Sequence, residues 1–310
     1  MILISVLLSL AVLIFVLAWI CFYITCYVPK GKKPGTGEGI ELPAGKIYEP
    51  FHEKMTHWAR ETKACPQAEF FIRSYDGLKL RGVYYERFPG APMELMFHGY
   101  RGSAGRDLAG GVQRCFKLGR NAFLVDQRCS GGSDGKVITF GVREYRDCLS
   151  WVDFLVEHFG PDQKIILTGI SMGASTVLNA AGQNLPENVV GVLADCGFTS
   201  PKAIICKVMA QIGLPVKVFY PLTRLGMRLF GGFDPEAITS VESVKRAKVP
   251  VIFFHGEEDD YVPCHMSREN FDACPTEKRL VTVPGAGHGL SYPVQPERYL
   301  KELGDFFAGI

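Results

Sequence analysis

An α/β architecture, a mostly parallel eight-stranded sheet with helices on both faces, follows from three features of the sequence. From about residue 69 short apolar runs alternate with longer stretches of helical period, the pattern of strands joined by crossover helices. The runs are nearly continuous in apolar residues, as buried parallel strands are. An Asp76-Gly77 pair between the first two runs marks a hairpin at one edge.

The elements follow in order. Residues 1–28 carry no charged side chain, with Trp19, Phe22, Tyr23 and Tyr27 toward the far end. A bilayer core takes roughly 20 apolar residues, and aromatic residues collect at its boundary. A cleaved signal peptide needs a basic start, a shorter apolar run and a small-x-small site, none of which is evident. The segment therefore reads as a retained transmembrane anchor. Lys30, Lys32 and Lys33 follow and no basic residue precedes, which predicts a cytoplasmic domain behind a single span. Residues 29–45, rich in Pro and Gly, read as a flexible linker; their GTGEG run lacks the flanking strand and helix of a nucleotide loop. The domain proper is expected over 46–310. A helix is predicted at 51–62 and strands at 69–73, 78–87, 93–97, 122–125, 164–168, 189–194, 249–254 and 279–283. Further helices fall at 104–118, 143–158, 172–183, 266–273 and 296–307.

Composition excludes little but is informative. A net charge of +2 argues against a dedicated nucleic-acid binder. Ten cysteines scattered through apparent strands and helices resemble buried apolar residues of a reducing compartment more than a disulfide framework.

In such sheets ligands bind beyond the carboxyl ends of the strands, so the chemistry is expected in loops directly after them. Gly169-Ile170-Ser171-Met172-Gly173 follows the strand KIILT and opens a helical stretch. Small residues around a serine let strand and helix approach in a sharp turn, and the helix N-terminus favours negative charge there. Gly131-Gly132-Ser133-Asp134-Gly135 matches the same G-x-S-x-G pattern, but in a polar loop, where a turn role is the plain expectation. Context selects Ser171 as nucleophile.

A serine needs a base, and the base an orienting group. His288 lies late in the chain, in the loop VTVPGAGHG after a strand, between Gly287 and Gly289. The other six histidines end strands before turns or fall on helices. After the strand VIFF comes HGEEDDYVP, where Glu257, Glu258, Asp259 and Asp260 compete as the acid; Asp195, after another strand, is a separate candidate. A metal site from His255, Glu257, Asp259 and His265 lacks supporting ligands.

Together HGYRG, GISMG, HGEEDDYVP and GAGHG, in that order over residues 65–310, resemble the α/β-hydrolase superfamily. Membrane-anchored bacterial hydrolases of the fermentation–respiration switch and serine-aminopeptidase-like branch are similar. The resemblance implies an α/β-hydrolase fold with a small helical cap at about 197–240. It implies Asp259 as the acid, from HG-x-x-D-x-x-VP. It also implies an oxyanion hole from the backbone N–H groups of Tyr100, in HG-x-x-G, and Met172. The loop DQRCSGGSDG resembles the family's D-x-R-G-x-G-x-S stretch, with Cys129 where glycine is usual.

The expected function is hydrolysis of a carboxylic ester or thioester, lipid-derived ones among them, through an acyl-serine; no cofactor or metal is implied. The alternatives are a serine peptidase acting on short peptides and a non-catalytic membrane scaffold. Residues 196–233 contain no acid but carry Lys202, Lys207, Lys217, Arg224 and Arg228 among apolar residues. That suits either an ordinary cap or a helix resting on anionic lipid, which would make the membrane a partner through the cap as well as the anchor.

Overall fold

The computed structural model describes residues 2–29, 31–37 and 39–309. Met1 of the expected anchor and Lys30 of the flanking lysines lie outside them. Helix α1 (Ile2–Cys26) comes first, then α2 (His52–Ala64), β1 (Ala68–Arg73), β2 (Lys79–Tyr85) and β3 (Met93–Phe97). Next are α3 (Ala104–Asp107), α4 (Ala109–Lys117), β4 (Asn121–Asp126), α5 (Glu144–Phe159), β5 (Ile165–Ile170), α6 (Met172–Ala181) and β6 (Val189–Asp195). The chain ends with α7 (Pro201–Gln211), α8 (Val216–Phe230), α9 (Ser240–Val244), β7 (Val251–Gly256), α10 (His265–Ala273), β8 (Lys278–Val283), α11 (Ser291–Val294) and α12 (Pro296–Phe306).

The eight strands form one sheet in the order β1-β2-β4-β3-β5-β6-β7-β8. β2 runs antiparallel to both neighbours and the other pairs are parallel. This is an α/β-hydrolase fold. The hairpin turns at Gly77, whose φ of +87° suits glycine. Side-chain alternation divides the core: on β5, Ile165 and Leu167 face the cluster with Trp151 of α5 and Leu178 of α6. Ile166 faces Trp58 of α2 and Tyr299 of α12 on the opposite side.

Two predicted elements differ in detail. The helix expected at 104–118 is broken at Leu108, whose N–H closes α3 onto Ala104 O while α4 begins anew at Ala109. The described residues of 29–45 form no helix or strand but lie along the domain: Gly131 N donates to Pro34 O at 2.7 Å and Lys33 Nζ to Ser133 O at 2.6 Å.

α1 is long and apolar enough to cross a membrane, and its first half is exposed. Its second half is not free. Ala18, Phe22 and Cys26 are buried, and Phe22, Cys26 and Val28 join a core beneath the cap that includes Met172, Ile204 and Met227. α8 runs antiparallel to α1: Gly226 packs on Ala18, and Phe230 meets Phe15 and Phe22 with ring centroids 5.0 and 5.9 Å apart. A Cβ at Gly226 would collide with Ala18 O, so the two backbones touch as small-residue helix pairs do. After α1 the chain adds a bridge, Tyr27 to Val137, with Val28 N donating to Lys136 O at 2.8 Å.

The basic residues of α7 and α8 are partly matched by acids just beyond the acid-free stretch. Arg224 forms a two-point pair with Asp234 and lies 3.3 Å from Glu236, which also takes Lys202 at 3.2 Å. The counter-ions thus come from residues 234 and 236, just past that stretch.

Candidate active site

Ser171 stands between β5 and α6 with φ +56° and ψ −117°, a backbone state that a non-glycine residue holds only when its surroundings enforce it. They do so by close approach. A Cβ at Gly169 would overlap the backbone of Gly173, and one at Gly173 would overlap Phe97 O. Ser171 N donates to Asp195 O at 2.8 Å, and Ser171 O accepts from Ser175 N at 3.1 Å, starting α6. The side chain is thereby lifted to the mouth of a cavity, 6% exposed.

The loop after β8 brings His288 over it. Nε2 of His288 lies 2.9 Å from Ser171 Oγ, and Nδ1 lies 2.7 Å from Asp259 Oδ2. A carboxylate only accepts, so Nδ1 carries the proton and Nε2 is left to accept from the serine hydroxyl. Asp259, after β7, is fixed by its other oxygen, which accepts from Tyr261 N at 2.9 Å and Val262 N at 2.8 Å. Burial alone would raise its pKa, but the hydrogen bonds it accepts from His255 and His288 outweigh burial and hold it at about 2.

The other expected residues fall as follows. Asp195 accepts from Ser291 Oγ and Tyr299 Oη, each at 3.1 Å, and has no bond to His288. Glu257 accepts from Thr282 Oγ1 at 2.6 Å. Ser133 is fully buried; its Oγ donates to Asp126 O at 2.5 Å and accepts from Arg81 N at 2.8 Å. In that loop both Cys129 (φ +71°) and Gly131 (φ +47°) take the left-handed backbone, so Cys129 adopts the conformation glycine would favour. His255, at the end of β7, is fully buried beside the acid. Its Nε2 donates to Val262 O at 2.8 Å and lies 3.3 Å from Asp259 Oδ2. The only sequence signal for it was its place just before the acid loop.

The loop after β3 approaches from the other side. A Cβ at Gly99 would lie 3.5 Å from Ser171 Cβ and 3.8 Å from Oγ. Gly99 N is held by Asp107 Oδ2 at 3.2 Å. Among the described residues neither Tyr100 N nor Met172 N, the first N–H of α6, has a protein acceptor. The Tyr100 ring stacks on Phe140 at 5.0 Å, and its hydroxyl donates to Thr25 O at 2.7 Å.

Ser171 and His288 open on a cavity of about 500 Å³. It extends along the α2 and α4 face of the sheet past Ile170, Thr168, Met96, Leu193 and Trp58, and residues 43–48 form part of its wall. Such a volume holds a small organic group. Cys196 Sγ, the Asp259 carboxylate and the His288 ring lie within 4.8 Å of one another. Burial pushes that thiol well up, and the other two groups bond each other, so the trio is poorly suited to a resident cation.

The family model described as the prolyl oligopeptidase family matches residues 139–310. Uncharacterized protein YqkD of Bacillus subtilis is 27% identical over 190 residues, 61% of this chain and 62% of that protein; the chain thus spans less than two thirds of its length. The α/β hydrolase domain-containing protein aho-3 of Caenorhabditis elegans is 27% identical over 56% of this chain and 45% of its own. Among solved structures, an esterase of Pyrococcus furiosus, Pf2001, superimposes with a TM-score of 0.65 at 18% identity, covering 89% of this chain and 98% of that one.

Proposed function

The chain belongs to the prolyl oligopeptidase family and with it to the α/β hydrolases, and from that premise we propose that it cleaves a carboxylic ester or thioester through an acyl-Ser171 intermediate. The observation that carries this reading is the unbroken hydrogen-bond chain from Ser171 Oγ through His288 to Asp259 at the mouth of a cavity of acyl size.

The steps follow from the geometry. Ser171 Oγ attacks the carbonyl carbon while its proton passes to His288 Nε2. Asp259 stays ionised and stabilises the imidazolium. The oxygen that gains charge sits against the N–H groups of Tyr100 and Met172, which have no protein acceptor to leave. Collapse expels the alcohol or thiol, which takes the proton from His288. Water repeats the sequence on the acyl-serine, releasing the acid and restoring Ser171.

The family's name supports a second reading, hydrolysis of short peptides, since an amide passes through the same oxyanion. A panel of esters of graded acyl length against peptide anilides separates the two. Labelling by a fluorophosphonate, lost in Ser171→Ala, separates either from a scaffold without activity; an unlabelled, folded wild-type protein would sink both.

We further read residues 1–28 as a retained membrane anchor, 29–45 as the connection and 46–310 as the hydrolase domain with its cap at about 197–240. Support for retention is that losing α1 would expose the core around Phe22, Cys26 and Val28. Lys32 and Lys33 beyond α1 support a cytoplasmic domain. A cysteine-accessibility assay at exposed positions 2–8 and on the domain tests the topology; labelling of both from one side of the membrane contradicts it.

A further inference from the structure

The C-terminal end of α1 is tied to the loop that carries one of the two oxyanion donors. The last carbonyls of a helix have no partner within it, and here the loop after β3 supplies several. Tyr100 Oη donates to Thr25 O at 2.7 Å. Arg101 Nη2 donates to Ile24 O at 2.9 Å and Tyr27 O at 3.1 Å, and its Nε donates to Tyr100 Oη at 2.8 Å. A guanidinium fork at a helix C-terminus is also electrostatically favoured. Arg101 takes a left-handed backbone, φ +51°, in doing so.

The same loop is held from the opposite side. Gly99 N bonds Asp107 Oδ2 at 3.2 Å, Gly102 N bonds Gly99 O at 3.1 Å, and Arg106 Nη1 bonds Arg101 O at 3.2 Å. Residues 99–102 are thus stretched between a domain clamp, Arg106 and Asp107, and the end of α1. Tyr100 carries both ends of the relation: its hydroxyl is fixed to α1, and its N–H, one residue after the Gly99 that approaches Ser171, has no protein acceptor among the described residues. A non-glycine residue at positive φ next to a donor holds that shape only while its contacts enforce it. Of the hydrogen bonds made by the Arg101 side chain, one is to Tyr100, one is to Ile24 of α1 and one is to Tyr27 just past its end.

We propose that α1 is a positioning element for catalysis: through Tyr100 and Arg101, its terminal carbonyls hold the Tyr100 N–H where the oxyanion forms. Arg101 is then a positioning residue, and turnover depends on α1 being seated. This rests on the reading of Ser171 as nucleophile.

The test uses the full-length protein in detergent micelles, with wild type first shown to be labelled at Ser171 by a fluorophosphonate. Arg101→Ala, Arg101→Lys and Tyr100→Phe are compared for kcat and KM on a short soluble ester, and for inhibition by a trifluoromethyl ketone, whose adduct needs the oxyanion donors. Arg224→Ala, which breaks cap ion pairs, is the control. Removing an oxyanion donor costs about 10²–10³ in kcat. Loss of its positioning in Arg101→Ala is expected to cost about 10–100-fold in kcat, with KM within about twofold and the ketone weakened by the same factor. Tyr100→Phe, which keeps the ring on Phe140, is expected to lose less, and Arg101→Lys to recover part of the loss. Wild-type kcat and ketone affinity in both Arg101→Ala and Tyr100→Phe overturn the proposal. So does a loss confined to KM or to thermal stability. If Arg101→Ala fails to fold, Tyr100→Phe and Arg101→Lys decide by the same criteria. An unlabelled wild type is a different result, the failure of the hydrolase reading itself.

Discussion

Ser133 and Ser171 occupy the same five-residue pattern and do opposite things. Ser171 sits where a strand becomes a helix, at positive φ, with its hydroxyl offered to an imidazole. Ser133 sits in a closed loop, with its hydroxyl spent on Asp126 O and Arg81 N. One serine is held in strain with its hydroxyl facing the His288 ring; the other is satisfied and ties β2 to the loop after β4. A short glycine-serine pattern encodes only small size and backbone freedom. The element on either side decides whether that freedom builds a turn or presents a nucleophile.

The comparison can be broken most directly at Ser171. Ser171→Ala should lower ester hydrolysis by about 10⁴–10⁶-fold while leaving the thermal midpoint near wild type, measured by steady-state kinetics and calorimetry. Near-wild-type rates would hand the role back to another residue. Next in size is the group that distinguishes the two environments. Asp259→Asn should cost about 10⁴ in kcat, because an amide lets His288 adopt the wrong tautomer. Asp195→Asn, whose carboxylate bonds Ser291 and Tyr299 and not His288, should keep kcat within about tenfold; the reverse ranking would move the acid to Asp195.

A pH titration of stability sharpens the same point. Asp259 is held at about 2 in the folded protein, against about 3.9 when unfolded. The unfolded chain therefore takes up the proton first as pH falls. The stabilisation is complete above about pH 5 and is lost on descending toward pH 2, amounting to about 2.5 kcal/mol. Urea melts across that window should show a smaller pH-dependent loss in Asp259→Asn than in wild type. The smallest effect belongs to Ser133. Ser133→Ala should keep kcat within about threefold and destabilise by about 1–3 kcal/mol, because Arg81 N and Asp126 O lose their partner in a buried loop. A large fall in kcat with unchanged stability would erase the contrast.

The sheet was open to sequence reading because parallel strands buried on both faces are apolar throughout, and the runs ending at Phe97, Thr168 and Phe254 stand out. The break at Leu108 was not legible, since apolar periodicity continues across it. Ser171 and His288 could be picked because each follows a strand and is flanked by glycine, and the structure brings them within hydrogen-bond distance. Asp259 could not be separated from its three acidic neighbours by composition. What sets it apart is a turn that aims two backbone N–H groups at its carboxylate. Residues 29–45 look slack because glycine and proline dominate, while the bonds that hold Lys33 and Pro34 reach residues about a hundred positions away. Arg101 gave no signal beyond standing in HGYRG, because its partners are backbone carbonyls, which every residue has.

At Gly226 the backbones of α1 and α8 touch, and no side chain intervenes to let one slide on the other. A hydrolase on a slack leash can swing its mouth toward anything within reach. This domain has little such latitude, because the second half of α1 is built into its core. If α1 enters a bilayer, as proposed above, the height and tilt of the mouth at Ser171 follow from that packing and not from a hinge.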